Sequence, residues 1–140
     1  MEVKVKEVVE GLYISGRPQD DSWHGRVDVL LTVAFDAYVA PPEKPNWGLA
    51  VFLPLVDGPE EPDADLLEAL VGLAAELIRS GKTVLVHCAA GINRSGLVTA
   101  MILVKLGDSP SEAIDRLRNV VPEALNNVTF VGLVERASRS

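Results

Sequence analysis

The chain of 140 residues contains one cysteine, Cys88. A lone thiol closes no internal disulfide, which excludes a small secreted scaffold held by disulfides. Nor is there a run of about 18 apolar residues, the least a membrane-spanning helix needs. The longest apolar stretch, Gly96 to Val104, ends at Lys105. Met1 to Lys6 alternates charge with valine and has no apolar signal-peptide centre. Together these absences predict a cytoplasmic protein with no membrane partner. Positive charge is also scarce: 13 Lys and Arg stand against 20 Asp and Glu, a formal net charge of −7. Such a field repels phosphate backbones, so no nucleic-acid partner is expected. His, Asp, Glu and Cys nowhere cluster at metal-ligand spacing, so neither a metal nor another cofactor is expected. No internal repeat or low-complexity tract is present.

What the chain does have is a globular composition, 48% hydrophobic and 24% charged, at a length that suits one domain over residues 1–140. Val3 to Val9 and Leu12 to Ser15 read as short extended segments around the Glu10-Gly11 turn. Val27 to Val33 is β-rich. Phe35 to Trp47 holds Pro41, Pro42 and Pro45 and reads as irregular surface loop. Leu49 to Val56 is a continuous apolar run, which predicts a strand covered on both faces.

Helices are marked more clearly. Asp63 is placed to cap a helix whose leucines follow helical spacing from Leu66 to Leu77, with Gly81 ending it. Thr83 to His87 is a short buried-type strand, and Gly96 to Leu106 an apolar helix closed by Gly107. Ser109-Pro110-Ser111-Glu112 is a capping box with proline at the first helical position. Asn127 caps a last helix reaching towards Arg136. Strands alternating with helices predict an α/β fold with a mainly parallel sheet of four to five strands flanked by helices.

The segment that carries chemistry is His87-Cys88-Ala89-Ala90-Gly91-Ile92-Asn93-Arg94-Ser95, between a buried strand and an apolar helix. A tight loop there turns consecutive N–H groups inward, and the helix start adds partial positive charge. Ala89, Ala90, Gly91, Ile92, Asn93 and Arg94 would thus cradle an anion, with phosphate or sulfate the natural occupant. Cys88 opens that cradle; among N–H donors and a guanidinium its thiol should ionise well below the free value of about 8.5. The thiolate is a nucleophile. Arg94 can hold two oxygens of a phosphoryl group bidentately. Ser95 can donate a hydrogen bond to the sulfur as it leaves. His87 is expected to sit beneath the loop in support, without reacting.

These residues resemble the cysteine-dependent protein phosphatases, and within them the small dual-specificity group, whose signature His-Cys-x-x-Gly-x-x-Arg-Ser/Thr is matched at every fixed position. Gly11 to Gly16 is similar to that family's early strand, and Ser111 to Leu133 to its closing helices. The resemblance implies hydrolysis through a cysteinyl-phosphate. It also implies a general acid on a loop roughly thirty residues before the cysteine. Asp57, 31 residues upstream in Val56-Asp57-Gly58-Pro59, fits that place, with Asp63 in reserve.

The expected substrate is a phosphorylated protein or peptide, phosphotyrosine first and phosphoserine or phosphothreonine second. Ala89 and Ile92 stand where inositol-lipid phosphatases of this superfamily carry lysines. Asn93 beside Arg94 resembles RNA 5′-triphosphatases, which keeps that activity open as the alternative, alongside a non-catalytic phosphate-binding module. Thiosulfate or arsenate chemistry is a further competitor, though relay through disulfides needs cysteines this chain lacks. Trp23 and His24 read as local packing, Phe35, Tyr38 and Trp47 as surface loop or site mouth, and Asp20 and Asp21 as a solvated turn. Arg17 and Arg26 are candidates for a second phosphate contact.

Overall fold

The computed structural model describes residues 3–90 and 92–138. Five short strands make one sheet: β1 (Lys6–Val9), β2 (Leu12–Ser15), β3 (Val29–Thr32), β4 (Leu49–Phe52) and β5 (Val84–His87). Their spatial order is β1-β2-β5-β3-β4. Only the β1–β2 hairpin is antiparallel; β2, β5, β3 and β4 run parallel. The helices are α1 (Ala64–Arg79), α2 (Arg94–Lys105), α3 (Pro110–Val120) and α4 (Val128–Glu135). No helix among the described residues is long and apolar enough to cross a membrane.

Three of the four described helices, α1, α3 and α4, start where a side chain satisfies free amides. Asp63 accepts from Leu66 N at 3.0 Å, and Asn127 from Phe130 N at 3.1 Å. Ser109 and Glu112 close a reciprocal capping box. Gly81 and Gly107 follow α1 and α2 with φ of +89° and +124°, values that favour glycine.

Alternation along the strands builds two layers of core. Leu12, Ile14, Val29, Leu31, Val84 and Val86 point to the four helices. Leu30 and Leu85 point the other way, against Trp23 and Val27, with Tyr13, Val39 and Trp47 alongside. One face of the sheet is therefore covered by helices and the other by the irregular segments 20–27 and 38–47.

The Leu49 to Val56 run differs from expectation. Only Leu49–Phe52 is strand; it lies at the sheet edge, with Leu49 39% and Phe52 49% exposed. Beyond Phe52 the chain still follows β3, with Leu53 N donating to Thr32 O at 3.0 Å and Leu55 N to Val33 O at 3.2 Å, while Pro54 between them has no N–H to add a rung. The apolar run thus serves an edge strand and the segment leading to Asp57, a use that hydropathy does not distinguish from full burial. The Phe35 to Trp47 loop is irregular as expected, apart from a 3-10 turn at Phe35–Ala37.

Candidate active site

Four segments leave the carboxyl ends of the four parallel strands and meet there, where open α/β sheets characteristically form their sites. Gly16 and Arg17 follow β2, Asp36 follows β3, Asp57 follows β4, and the Cys88 loop follows β5. The loop closes on itself. Cys88 Sγ and Ser95 Oγ, seven residues apart, are 3.2 Å from each other. Cys88 is 2% exposed and Ser95 wholly buried, at the loop's floor.

Outward-facing carbonyls hold the loop. Ala89 O accepts from Arg17 N at 3.1 Å, Ala90 O from Val3 N at 3.0 Å, and Ile92 O from Leu125 N at 3.1 Å. A trans peptide sets C=O and the following N–H on opposite sides. With those carbonyls turned out, the amides of Ala90 and Asn93 face into the loop, as an anion cradle requires. Gly91 was expected in this cradle and lies outside the described residues.

Arg94 is the first residue of α2. Its Nη1 donates to Asp36 Oδ1 at 3.1 Å and to Leu55 O at 3.5 Å. Both contacts use one nitrogen of a guanidinium that carries five N–H donors, which leaves the rest of the fork for an anion. Asp36 did not stand out in the sequence. The pair spans 58 positions, and an acidic residue four positions after an inner strand is the only local hint of it.

Asp57 is held from two sides. Asn93 Nδ2 donates to its Oδ2 at 2.9 Å, and Asn127 Nδ2 to its Oδ1 at 2.8 Å. Asn127 also donates to Gly58 O at 3.0 Å, while Thr129 Oγ1 donates to Pro59 O at 3.0 Å. The Asn93 side chain continues into the turn before α4. It donates to Asn126 Oδ1 at 2.7 Å and accepts from Asn126 N at 2.9 Å and Asn127 N at 3.0 Å. Leu125, at the head of that turn, has φ +62°, a conformation costly for a branched side chain. Arg118 fixes it by donating to Ala124 O at 3.1 Å and Leu125 O at 2.9 Å. Asn126 and Asn127 were not expected in the site, except for Asn127 as a cap. Asp63, the reserve acid, caps α1 instead.

His87 is fully buried beneath the loop, its Nε2 2.8 Å from Thr32 Oγ1. Burial is the main cause that pushes its pKa down to about 4. The Cys88 backbone pulls the other way, and Arg17's charge lowers it further. The Cys88 pull is too loose for a formed hydrogen bond, since Nδ1 has no partner within bonding geometry. His87 is thus a neutral ring at the end of β5, beneath the loop. Phe35 and Tyr38 are 66% and 57% exposed, Tyr38 lying edge-on to Phe52 at 6.3 Å. Trp23 is buried against Trp47 and His24. Asp20 bonds Ser22 N, and Asp21 lies 3.4 Å from His24, both within the turn expected there.

Fold and loop together define a dual-specificity phosphatase catalytic domain: that family's model matches residues 43–139, and the chain belongs to the family. Among named relatives, the chain is similar to Dual specificity protein phosphatase 12 of Homo sapiens, 32% identical over 134 residues, covering 89% of this chain and 38% of that protein. The chain thus spans about two fifths of the length of the curated relatives it matches. Among solved structures, human DUSP28 superposes with TM-score 0.81 at 20% identity, over 94% of this chain and 90% of that one. Tk-PTP in its active form superposes with TM-score 0.76 at 25% identity, over 94% and 95%.

Proposed function

We propose that the chain hydrolyses phosphate monoesters on phosphorylated protein, with phosphotyrosine as the first substrate and phosphoserine or phosphothreonine accepted as well. The observation that carries this reading is the convergence of Cys88, Arg94, Ser95 and Asp57 at the ends of the parallel strands, within the family's catalytic domain.

Cys88 sulfur attacks phosphorus in line with the ester oxygen. The S–P bond forms as the P–O bond breaks, and Asp57 hands its proton to the departing oxygen. Inward amides of the loop and the Arg94 fork hold the three equatorial oxygens, whose charge builds at the transition state. Water then attacks the cysteinyl-phosphate and gives its proton to Asp57. The S–P bond breaks, with Ser95 donating to the leaving sulfur, and inorganic phosphate is released. Every step uses side chains and backbone of the chain itself. A cytoplasmic setting fits this chemistry, because a reducing compartment keeps the one thiol available.

The test is turnover of a phosphotyrosine peptide by the parent protein, Cys88→Ser and Asp57→Ala. Cys88→Ser should fall to background. Asp57→Ala should lose about 10²- to 10⁴-fold in kcat, with KM changed little. Full activity in Cys88→Ser overturns the reading. Faster turnover of triphosphate-ended RNA than of the peptide would replace it with the triphosphatase alternative.

A further inference from the structure

Beside the nucleophile loop, on the flank away from Asp57, a cavity of about 300 Å³ is lined by Lys4, Arg17, Ser22, Trp23 and Arg26, with Asp20 its one acid among the described residues. We propose that this cavity is a second anion subsite, which takes a carboxylate or second phosphate borne by the substrate peptide next to the phosphorylated residue in the Cys88 loop. The proposal rests on the phosphatase reading and narrows its substrate class to acidic or doubly phosphorylated segments.

Charge gives the first argument. The chain is strongly acidic, so each cation has an excess of carboxylates to pair with. Most described Lys and Arg side chains are engaged: Arg94, Lys105, Arg116 and Arg136 in ion pairs, and Lys6, Arg79 and Arg118 on backbone carbonyls. Of the remainder among the described residues, Lys4, Arg17 and Arg26 surround this one cavity. Its described carboxylate, Asp20, accepts from Ser22 N at 2.9 Å and also feels the charge of Arg26. Among the described residues, three cations against one acid leave the cavity positive within a negative molecule, and a local field of that kind concentrates anions.

Donors give the second. Two guanidiniums and an ammonium are the side chains that recognise carboxylate and phosphate. Trp23, 1% exposed, lines the same cavity, and its buried indole N–H has no hydrogen-bond partner among the described residues. A buried donor left unpaired is costly unless something fills its place. The volume sits at the lower end of the range for small-ligand pockets, about 300–1,000 Å³, which suits one charged group with its water.

Registration with the catalytic loop is the third. Arg17 N and Val3 N bond the carbonyls of Ala89 and Ala90, so both walls of the cavity hang on the loop that holds the phosphoryl group. Gly16 admits this contact: a Cβ there would lie 2.9 Å from Ala89 O and 3.0 Å from Ala90 O. An anion in the cavity and a phosphoryl group in the loop are therefore held by one connected piece of backbone.

The experiment compares the parent with Arg17→Ala/Arg26→Ala, a pair of exposed positions whose loss leaves the core intact. Substrates are a phosphotyrosine peptide with flanking Glu, the same peptide with Gln for Glu, a doubly phosphorylated version, and p-nitrophenyl phosphate. The proposal predicts that the variant loses about fivefold to tenfold in kcat/KM on the two acidic peptides, through KM. It should stay within about twofold of the parent on the Gln peptide and on p-nitrophenyl phosphate. Equal loss on all four substrates, or no loss on the acidic ones, overturns the subsite. Loss of binding to anionic-lipid vesicles, with peptide kinetics unchanged, overturns the peptide assignment in favour of a membrane. Failure of the parent to turn over p-nitrophenyl phosphate would instead strike the phosphatase reading itself.

Discussion

An asparagine just ahead of a helix usually spends its side chain on the helix's first amides. Asn93 holds that position before α2 and makes no such bond. Its amide reaches out to Asp57 and the 126–127 turn. Two consequences follow from one rotamer. The first amides of α2 stay available to an anion, and one carboxylate oxygen of the proposed acid is fixed against the nucleophile loop. Asn93→Ala should free that oxygen while Asn127 keeps the other. Turnover of phenyl phosphate, whose leaving group needs a proton, should drop about tenfold or more. Turnover of 2,4-dinitrophenyl phosphate, whose leaving group departs unaided, should change little. Equal losses on both would mean that Asn93 shapes the cradle and not the acid. Asn93 was legible as part of the loop, because the spacing of Cys88, Gly91 and Arg94 is local. Its bond to Asp57 was not, because that bond depends on where β4 delivers a residue 36 positions away.

At the level of elements, helix starts were the easiest features to read. Asp63, Ser109 with Glu112, and Asn127 cap through contacts three residues away, so the whole interaction lies in a short window. The Leu49 to Val56 run was misread because strand position in a sheet is set by topology: β4 is the edge and β5 the centre, and both sequences are apolar. Asp36 was missed for the same reason, as its partner arrives from another strand end. Contact between elements also makes Gly16 testable. Gly16→Ala would place a methyl against two backbone carbonyls of the nucleophile loop, and backbone yields less readily than a side chain. The β2 end or the loop must shift by several tenths of an ångström. Because misplacement at a reacting centre is costly, kcat on p-nitrophenyl phosphate should fall by roughly tenfold or more, with a modest loss of stability. Parent-like kinetics in this variant would show that the loop's geometry does not depend on the β2 contact.

The molecule as a whole is organised around β5, the strand between β2 and β3 that leads into Cys88. His87, its last residue, sits opposite Ser15 on one neighbour and Thr32 on the other. It is fully buried and bonded to the Thr32 hydroxyl. Burial holds its folded-state pKa at about 4 against an ordinary 6.5. Between those values the unfolded chain takes up a proton that the folded protein refuses, so unfolding gains as pH falls. This contribution to stability is complete above pH 6.5 and is lost progressively towards pH 4. For one such group the loss by pH 5 is about 2 kcal/mol, and it cannot exceed about 3 kcal/mol. Carboxylates titrate in part of the same range, so the parent's own pH dependence does not isolate the ring. His87→Gln removes the titration while keeping a polar side chain that can reach Thr32. Urea unfolding at pH 7 and pH 5 should show the parent losing about 2 kcal/mol more than the variant between the two, although the variant starts from lower stability at pH 7. If both proteins lose the same amount, the ring takes up its proton in the folded state as easily as in the unfolded one. The neutral imidazole would then not be what couples the centre of the sheet to the base of the catalytic loop.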